Sequence, residues 1–185
     1  MKQSLLLLMV LAMVGCSEKP QKPTLKEKAE GGDAEAQSLL GFSYETKQDF
    51  KEAVKWYRKA AEQGDLDAQL VLGDLYERGR GVEQDFKEAA KWFRVAAEQG
   101  NVVAQLNLGN MYAKGEGVPE NGVVALAWLN ISQINGATKF KLDNDNIPKI
   151  KASLVMLKNI SSEQIVKAQK LSKEMIKKNP NLIYD

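Results

Sequence analysis

One segment of this chain occurs three times, and this repetition restricts the possible fold more than any other feature. Moving residues 68–100 forward by 36 positions aligns their alanines, glycines and aromatic residues with matching residues as far as Trp128. Moving them backward aligns Trp92 with Trp56, and the front of the first copy fits at a spacing of 32 because a glycine linker of four residues is missing. Self-similarity at such a period predicts a solenoid of stacked repeats.

Each copy predicts a helix, a turn and a second helix. In the second copy, Asp65 is expected to cap the first helix, whose apolar residues share one face. Residues 78–81 (Arg-Gly-Arg-Gly) end that helix, since glycine adopts backbone angles that other residues resist. Gly64 and Gly100 are expected at the left-handed ends of the second helices.

Capping residues also predict where the second helices begin. Asp85 with Glu88, and likewise Asp49 with Glu52, are spaced as a capping box, in which each side chain bonds the other residue's backbone amide. The fold class predicted from these signals is all-α. It is a right-handed α-solenoid of helix-turn-helix repeats with a C-terminal helical cap.

The repeated residues carry a family resemblance. The order A-x-x-x-L-G-x-x-Y-x-x-G-x-G-V, then D-x-x-x-A-x-x-W-x-x-x-A-A-x-x-G, resembles the Sel-1-like repeat family, which is related to the tetratricopeptide repeats. The second copy matches throughout, whereas the third has 121–122 (Asn-Gly) and 132–133 (Ser-Gln) at the Asp-Phe and Ala-Ala positions. The resemblance covers residues 29–137 and implies three repeats. Their ranges are 29–65, 66–101 and 102–137.

Beyond residue 137 the period fails, and residues 138–185 are predicted to form the capping helices. One helix is expected over residues 147–158. Ser161 and Gln164 form a second predicted capping box, which opens a helix to about residue 177 with one apolar face. A terminal repeat must present a polar surface to water, and the lysines of this segment suit that position.

The first sixteen residues predict export and a lipid anchor. Lys2 precedes an apolar run over 5–14, which is shorter than the about 20 residues that a membrane-spanning helix requires. The ending at Cys16 resembles a bacterial lipobox, so residues 1–15 are interpreted as a signal peptide, Cys16 as the lipidated residue and 16–28 as a flexible tether. Ser17 then implies an outer-membrane lipoprotein that faces the periplasm. The alternative is an ordinary signal peptide in which Cys16 has no role.

The composition argues against most catalytic chemistry. The chain has no histidine, and Cys16 is its only cysteine, so histidine-based triads and thiolate zinc sites are excluded. The 79–81 linker lacks the third glycine of a dinucleotide cradle, and Asp143 with Asp145 lacks the glycine and glutamate of a calcium loop. We therefore expect no enzyme activity, no metal, no cofactor and no small-molecule substrate. The predicted periplasmic location and the absence of a basic stripe with interleaved aromatic residues also argue against nucleic acid as a partner.

A binding surface is predicted from the positions that differ between copies. Identical positions should pack inside, whereas differing positions should face outward or face a ligand. In the first helix of each repeat, spacings of four and three place three variable residues on one stripe. The predicted partner-binding groove comprises Glu35, Leu39, Phe42, Asp67, Val71, Asp74, Val103, Asn107 and Asn110. In tetratricopeptide-like solenoids this helix lines the concave side, which implies a protein or peptide partner.

Three alternatives to an adaptor role remain open at the level of sequence. The variable positions are also where neutral substitutions accumulate, so the stripe is alternatively an inert surface. A lipid-anchored repeat protein in the periplasm also suits an immunity or inhibitor protein that blocks an antibacterial toxin. Finally, some cysteine-rich family members imply a cell-wall or β-lactam-related enzyme, but the paired cysteines of that branch are absent here.

Overall fold

The computed structural model describes residues 22–139 and 160–183, and these residues form helices and short turns without strands. The helices are α1 (Leu25–Glu30), α2 (Ala34–Thr46), α3 (Phe50–Glu62), α4 (Leu66–Arg78), α5 (Phe86–Glu98), α6 (Val102–Lys114), α7 (Gly122–Lys139) and α8 (Ser162–Lys178), followed by a 3₁₀ turn at Pro180–Leu182. We call α2, α4 and α6 the first helices and α3, α5 and α7 the second helices. Each first helix packs on its own second helix, which packs on the next first helix, so the predicted α-solenoid is confirmed.

The repeats are joined by turns that contain almost no loop. Gly64 has a φ of +96°, and its N–H donates to the carbonyl of Ala61, while the N–H of Asp65 donates to the carbonyl of Ala60. The carboxylate of Asp65 then accepts the N–H of Ala68 at 2.7 Å, so the residue that closes one helix also caps the next. The same turn recurs around Gly32 and Gly100. Because no flexible loop separates the repeats, the hydrogen bonds of this turn fix their relative orientation.

The predicted capping boxes at the second helices are only half correct. Asp49 and Asp85 do accept the N–H groups of Glu52 and Glu88, as predicted. The prediction that the glutamate side chains accept the N–H groups of the two aspartates is wrong. These N–H groups donate instead to carbonyl oxygens at the end of the preceding first helix. The two glutamates pair with lysines on their own helices. The acceptor carbonyls belong to Tyr44 and Tyr76.

The residues that repeat most strictly form the core. Trp56, Trp92 and Trp128 are at most 9% exposed, which confirms that they are core residues. Trp92 lies in a cluster with buried residues of α3, and Trp128 in one with buried residues of α5, whereas Trp56 packs with Ala29 of α1 and buried residues of α2. The indoles of Trp92 and Trp128 therefore bury the interfaces between successive repeats, where the hydrophobic effect stabilises stacking.

A ladder of buried glutamines crosses the same interfaces. The side-chain amide of Gln69 donates to the carbonyl of Ala61 in the preceding repeat at 3.1 Å, and its oxygen accepts the amide of Gln99 at 2.8 Å. This rung thus bonds the end of α3 to the end of α5 and satisfies polar groups that are buried. The other two rungs are centred on Gln37 and Gln105.

Both ends of the solenoid are closed by helical segments. Residues 25–28, predicted to belong to the flexible tether, are instead helical, because Thr24 and Glu27 form a complete capping box and Ala29 is buried against the first repeat. At the other end the predicted box of Ser161 and Gln164 is confirmed in both directions. The helix predicted over 147–158 lies outside the described residues.

The C-terminal turn folds back onto the repeats. Leu182 is buried in the core between α5, α6 and α7, and its carbonyl accepts the side-chain amides of Gln105, at 2.9 Å, and of Asn135. The side chain of Asn179 donates to the carbonyl of Glu98 at 2.9 Å. In the described part of the chain, no helix is long and apolar enough to cross a membrane.

Candidate functional site

The first-helix face, which we define as the outward sides of α2, α4 and α6, contains all nine residues of the predicted groove. None of the nine is buried, so the structure is compatible with their access to a partner, and their binding role stays a prediction. The exposed members are Glu35, Leu39, Phe42, Asp67 and Val103, and the half-buried members are Val71, Asp74, Asn107 and Asn110.

Close packing on the opposite side turns these residues outward. In α4, an added Cβ at Gly73 would lie 2.6 Å from the buried ring of Phe93, so only glycine permits this approach of α4 to α5. Gly41 meets Tyr57 in the same way, and Gly109 meets Leu129. Each first helix therefore presents its glycine side to its second helix, and the variable stripe lies on the other side.

The first repeat provides the apolar part of this face. Leu39 is 51% exposed and Phe42 is 58% exposed, and their spacing of three places them side by side on α2. The hydroxyl of Ser38 donates to the carboxylate of Asp65 at 3.1 Å, which holds the start of α4 beside the middle of α2. An exposed leucine and phenylalanine are thus located next to the acidic first turn of α4.

The second repeat provides the acidic part. Asp74 pairs with Arg78, whose Nε lies 2.6 Å from Oδ1, so this carboxylate is already compensated by a cation. The carboxylate of Asp67 is exposed and has no ion pair among the described residues. Half-buried Glu77 was not predicted; burial raises the pKa of its carboxyl, Asp74 adds to the rise and Arg78 opposes it. Its sequence signal was a glutamate at the aligned positions 45 and 77 that is replaced by alanine at position 113.

The third repeat contributes amides instead of charges. Asn107 and Asn110 are half-buried, and Val103 is exposed. The helix that carries them, α6, has no acidic residue and one basic residue, Lys114. The chemistry of the first-helix face therefore changes along the solenoid, from apolar with acidic, through acidic, to amide.

The second helices present a surface of opposite charge, which was not predicted. A cavity of about 570 Å³ lies along α3, and its lining includes the apolar Trp56 and Val82 and the basic Lys51 and Lys59. The ammonium of Lys59 lies 4.2 Å from the centre of the Trp56 ring, within the range of a cation–π contact. This cavity adjoins the core, so its tryptophan already has a structural role.

The described residues offer no group of three or more histidine, cysteine or acidic side chains arranged to hold a metal ion. Cys16, Asp143 and Asp145 lie outside these ranges. The surfaces that the structure brings together are consequently suited to recognition through shape and charge, with the apolar pair of α2 and the acids of α4 on one face.

Comparison with known proteins identifies the repeats. The family model described as Sel1 repeat matches residues 34–65, 66–101 and 102–132. A crystal structure of a protective antigen present in uropathogenic Escherichia coli strains, displaying an SLR fold, is 36% identical with a TM-score of 0.73 over 85% of this chain and 33% of that one. This chain therefore spans a third of that antigen's length. A Sel1 repeat protein from Oxalobacter formigenes is 34% identical with a TM-score of 0.59, over 70% of this chain and 95% of that one. No curated protein sequence matches this chain.

Proposed function

Because the chain belongs to the Sel1 repeat family, whose repeats generally mediate protein–protein interaction, we propose that it is a non-catalytic adaptor that binds a protein or peptide through its first-helix face. The observation that carries this proposal is the contrast in burial between constant and variable positions. The tryptophans shared by all copies are buried, whereas none of the nine differing positions is. The helices that carry these side chains are already packed, so the backbone of the binding face needs no ordering on binding.

The same proposal includes a membrane anchor. We assign Cys16 as the lipidated residue of a lipoprotein that faces the periplasm, most simply from the outer membrane, on the basis of the apolar run and the cysteine at its end. A multiply acylated cysteine is held far more firmly than a single acyl chain permits. Anchoring restricts the adaptor and any membrane-associated partner to a thin layer and so raises their effective concentration.

The proposal is tested by crosslinking in the native membrane. Partners captured by the wild-type chain would be compared with those captured by a triple variant, Asp67→Ala, Asp74→Ala and Asn107→Ala. We expect capture of the specific partner to fall by about tenfold or more, since the altered residues lie on the binding face. The matched control changes three exposed second-helix residues, Lys51→Ala, Lys87→Ala and Glu98→Ala, and should retain capture.

Other outcomes would contradict specific parts of the proposal. Equal capture by the triple variant and the control would remove the first-helix face from the assignment. A single partner, bound tightly and inactivated as a toxin, would favour the immunity alternative. Turnover of a cell-wall or β-lactam substrate by the purified chain, lost on changing one carboxylate or serine, would show that the protein is an enzyme.

A further inference from the structure

The exposed Leu39 and Phe42 have no covering residues in the described ranges, and the charges around them are strongly biased. Helices α2 and α4 carry five acidic residues and one basic residue, Arg78, for a net charge of −4. The second helices α3 and α5 carry seven basic and four acidic residues, for a net charge of +3. Overall composition conceals this difference, because the charges of these first and second helices nearly cancel. Glu45 of α2 accepts the hydroxyl of Tyr57 on α3, so the outward acids of the first-helix face are the other four.

We propose that the partner segment bound by the first-helix face is a cationic peptide with an apolar side chain that seats on Leu39 and Phe42. This inference rests on the proposed function and adds the chemistry of the partner. A cationic segment is attracted to the acidic face and repelled by the basic one, so charge selects both the partner and the side of the solenoid it approaches. An acidic or neutral segment gains no such selection.

The order of the chemistry along the solenoid determines which part of the bound segment lies over which repeat. The apolar pair lies on α2, and the uncompensated carboxylates of Glu35 and Asp67 flank it on α2 and α4. Arg78 compensates Asp74 farther along α4, and α6 offers amides in place of acids. The apolar anchor of the peptide therefore lies over the first repeat with its lysines or arginines beside Glu35 and Asp67, and uncharged polar residues continue toward the third.

The test uses the full-length chain in detergent micelles and three fluorescein-labelled synthetic peptides of equal length. The first contains lysine and alanine with two leucines at helical spacing, the second replaces lysine by glutamate, and the third replaces leucine by alanine. Binding is followed by fluorescence anisotropy at low and raised salt, with empty micelles as the blank. We expect only the first peptide to bind well, and salt to weaken it, because exposed charges are screened.

Variants then assign the binding to residues. Glu35→Lys with Asp67→Lys, and separately Phe42→Ala, should each weaken the first peptide by about tenfold or more. The control Glu62→Lys with Glu98→Lys makes the same charge change at exposed ends of the second helices and should leave binding unchanged. Circular dichroism of each variant confirms that it is folded.

Three results with the purified chain would overturn the inference. The first is equal binding of the lysine and glutamate peptides, and the second is unchanged binding by Glu35→Lys with Asp67→Lys. The third is self-association of the wild-type chain that the same substitutions abolish, which would assign the face to a second copy. A native partner whose capture depends on Asn107 but not on Glu35 would refute the cationic peptide while leaving the proposed function intact.

Discussion

At the scale of single residues, the separation of each helix pair is determined by one glycine. We predict that Gly73→Ala destabilises the protein, because the new Cβ would lie 2.6 Å from a ring atom of Phe93, which is fully buried and has no room to move. Overpacking costs about 1–3 kcal/mol, which exceeds or matches the about 1 kcal/mol that alanine gains over glycine in helix propensity. Urea denaturation measures the change in the free energy of unfolding.

The third repeat supplies a comparison for this substitution. An added Cβ at Gly109 would lie 3.1 Å from Cγ of Leu129, a milder overlap. Gly109→Ala should therefore lose less stability than Gly73→Ala. A gain of stability at Gly73, or equal losses at the two positions, would contradict the packing argument.

The half-buried carboxyl of Glu77 gives a prediction about pH. Burial and Asp74 raise its pKa in the folded state, so the folded protein disfavours the ionised form. This contribution to stability is fully present below the ordinary pKa of 4.5 and is lost as the pH rises through the folded-state pKa. Glu77→Gln should consequently be more stable than wild type at pH 7, and the difference should shrink in acid.

Thermal unfolding at several pH values between about 3 and 8 measures this effect. The matched control is Glu83→Gln, which makes the same substitution at an exposed position. An advantage of Glu77→Gln that is constant at all pH values would point to packing instead of ionisation.

At the scale of elements, the glycine linker that joins the first and second helices of one repeat also contacts the preceding repeat. An added Cβ at Gly81 would lie 2.3 Å from the carbonyl carbon and oxygen of Phe50, the first residue of α3 in the preceding repeat. Gly117 meets Phe86 of α5 in the same way. The linker therefore rests on the start of the preceding second helix. The first repeat has no preceding second helix in the described chain, and its turn is shorter by the four linker residues.

Comparing Gly81 with Gly64 allows the cost of backbone strain to be measured apart from the cost of steric overlap. Gly81 and Gly64 both have positive φ, +73° and +96°, but the Cβ position of Gly64 has no atom within 4 Å. Gly64→Ala should lose only the about 1–2 kcal/mol that left-handed backbone costs an L-residue. Gly81→Ala should lose about 1–3 kcal/mol more through overlap. Guanidinium denaturation of the two variants measures the difference, and equal losses would show that the linker does not rest on α3.

The periodicity of the sequence was sufficient for the helix pairs, their aspartate caps and the tryptophan core, because these depend on local backbone preferences and on which positions repeat. It was not sufficient for contacts whose partner lies in another unit. Gln69 is a constant polar residue in the sequence, and only the distant carbonyl of Ala61 explains its burial. The return half of the capping box failed for a different reason, since the carbonyl of Tyr76, at the end of the first helix of the same repeat, takes the N–H of Asp85.

In the candidate site, too, some features could be predicted from the sequence and others could not. Variation between copies placed Leu39 and Phe42 on an accessible face, because helical spacing alone relates them. It did not distinguish Asp74, paired with Arg78, from Asp67, which has no ion pair in the described chain. It also missed Glu77, whose raised pKa arises from surroundings that include other helices.

At the scale of the whole molecule, the third repeat is altered to end the solenoid. Asn135 stands where the first two repeats have Gln63 and Gln99, and it is shorter by one methylene. Its amide still donates to Gln105, and the carbonyl of Leu182 accepts from both side chains. The shorter side chain leaves room for the C-terminal turn, which covers the last buried rung of the glutamine ladder.

This arrangement predicts that Asn135→Gln lowers the stability of the intact chain but raises that of a chain without the C-terminal turn. Leu182→Ala should cost about 2–5 kcal/mol by removing a buried side chain. Deleting residues 179–185 should cost more, because the whole turn is lost together with the hydrogen bonds from Gln105 and Asn135 to the carbonyl of Leu182 and from Asn179 to the carbonyl of Glu98. In the intact chain Asn135→Gln should destabilise by colliding with Leu182, whereas in the truncated chain it should stabilise by restoring the glutamine pair of the other repeats. Chemical denaturation of the four combinations measures this coupling, and the same sign in both backgrounds would show that Asn135 is not what accommodates the turn.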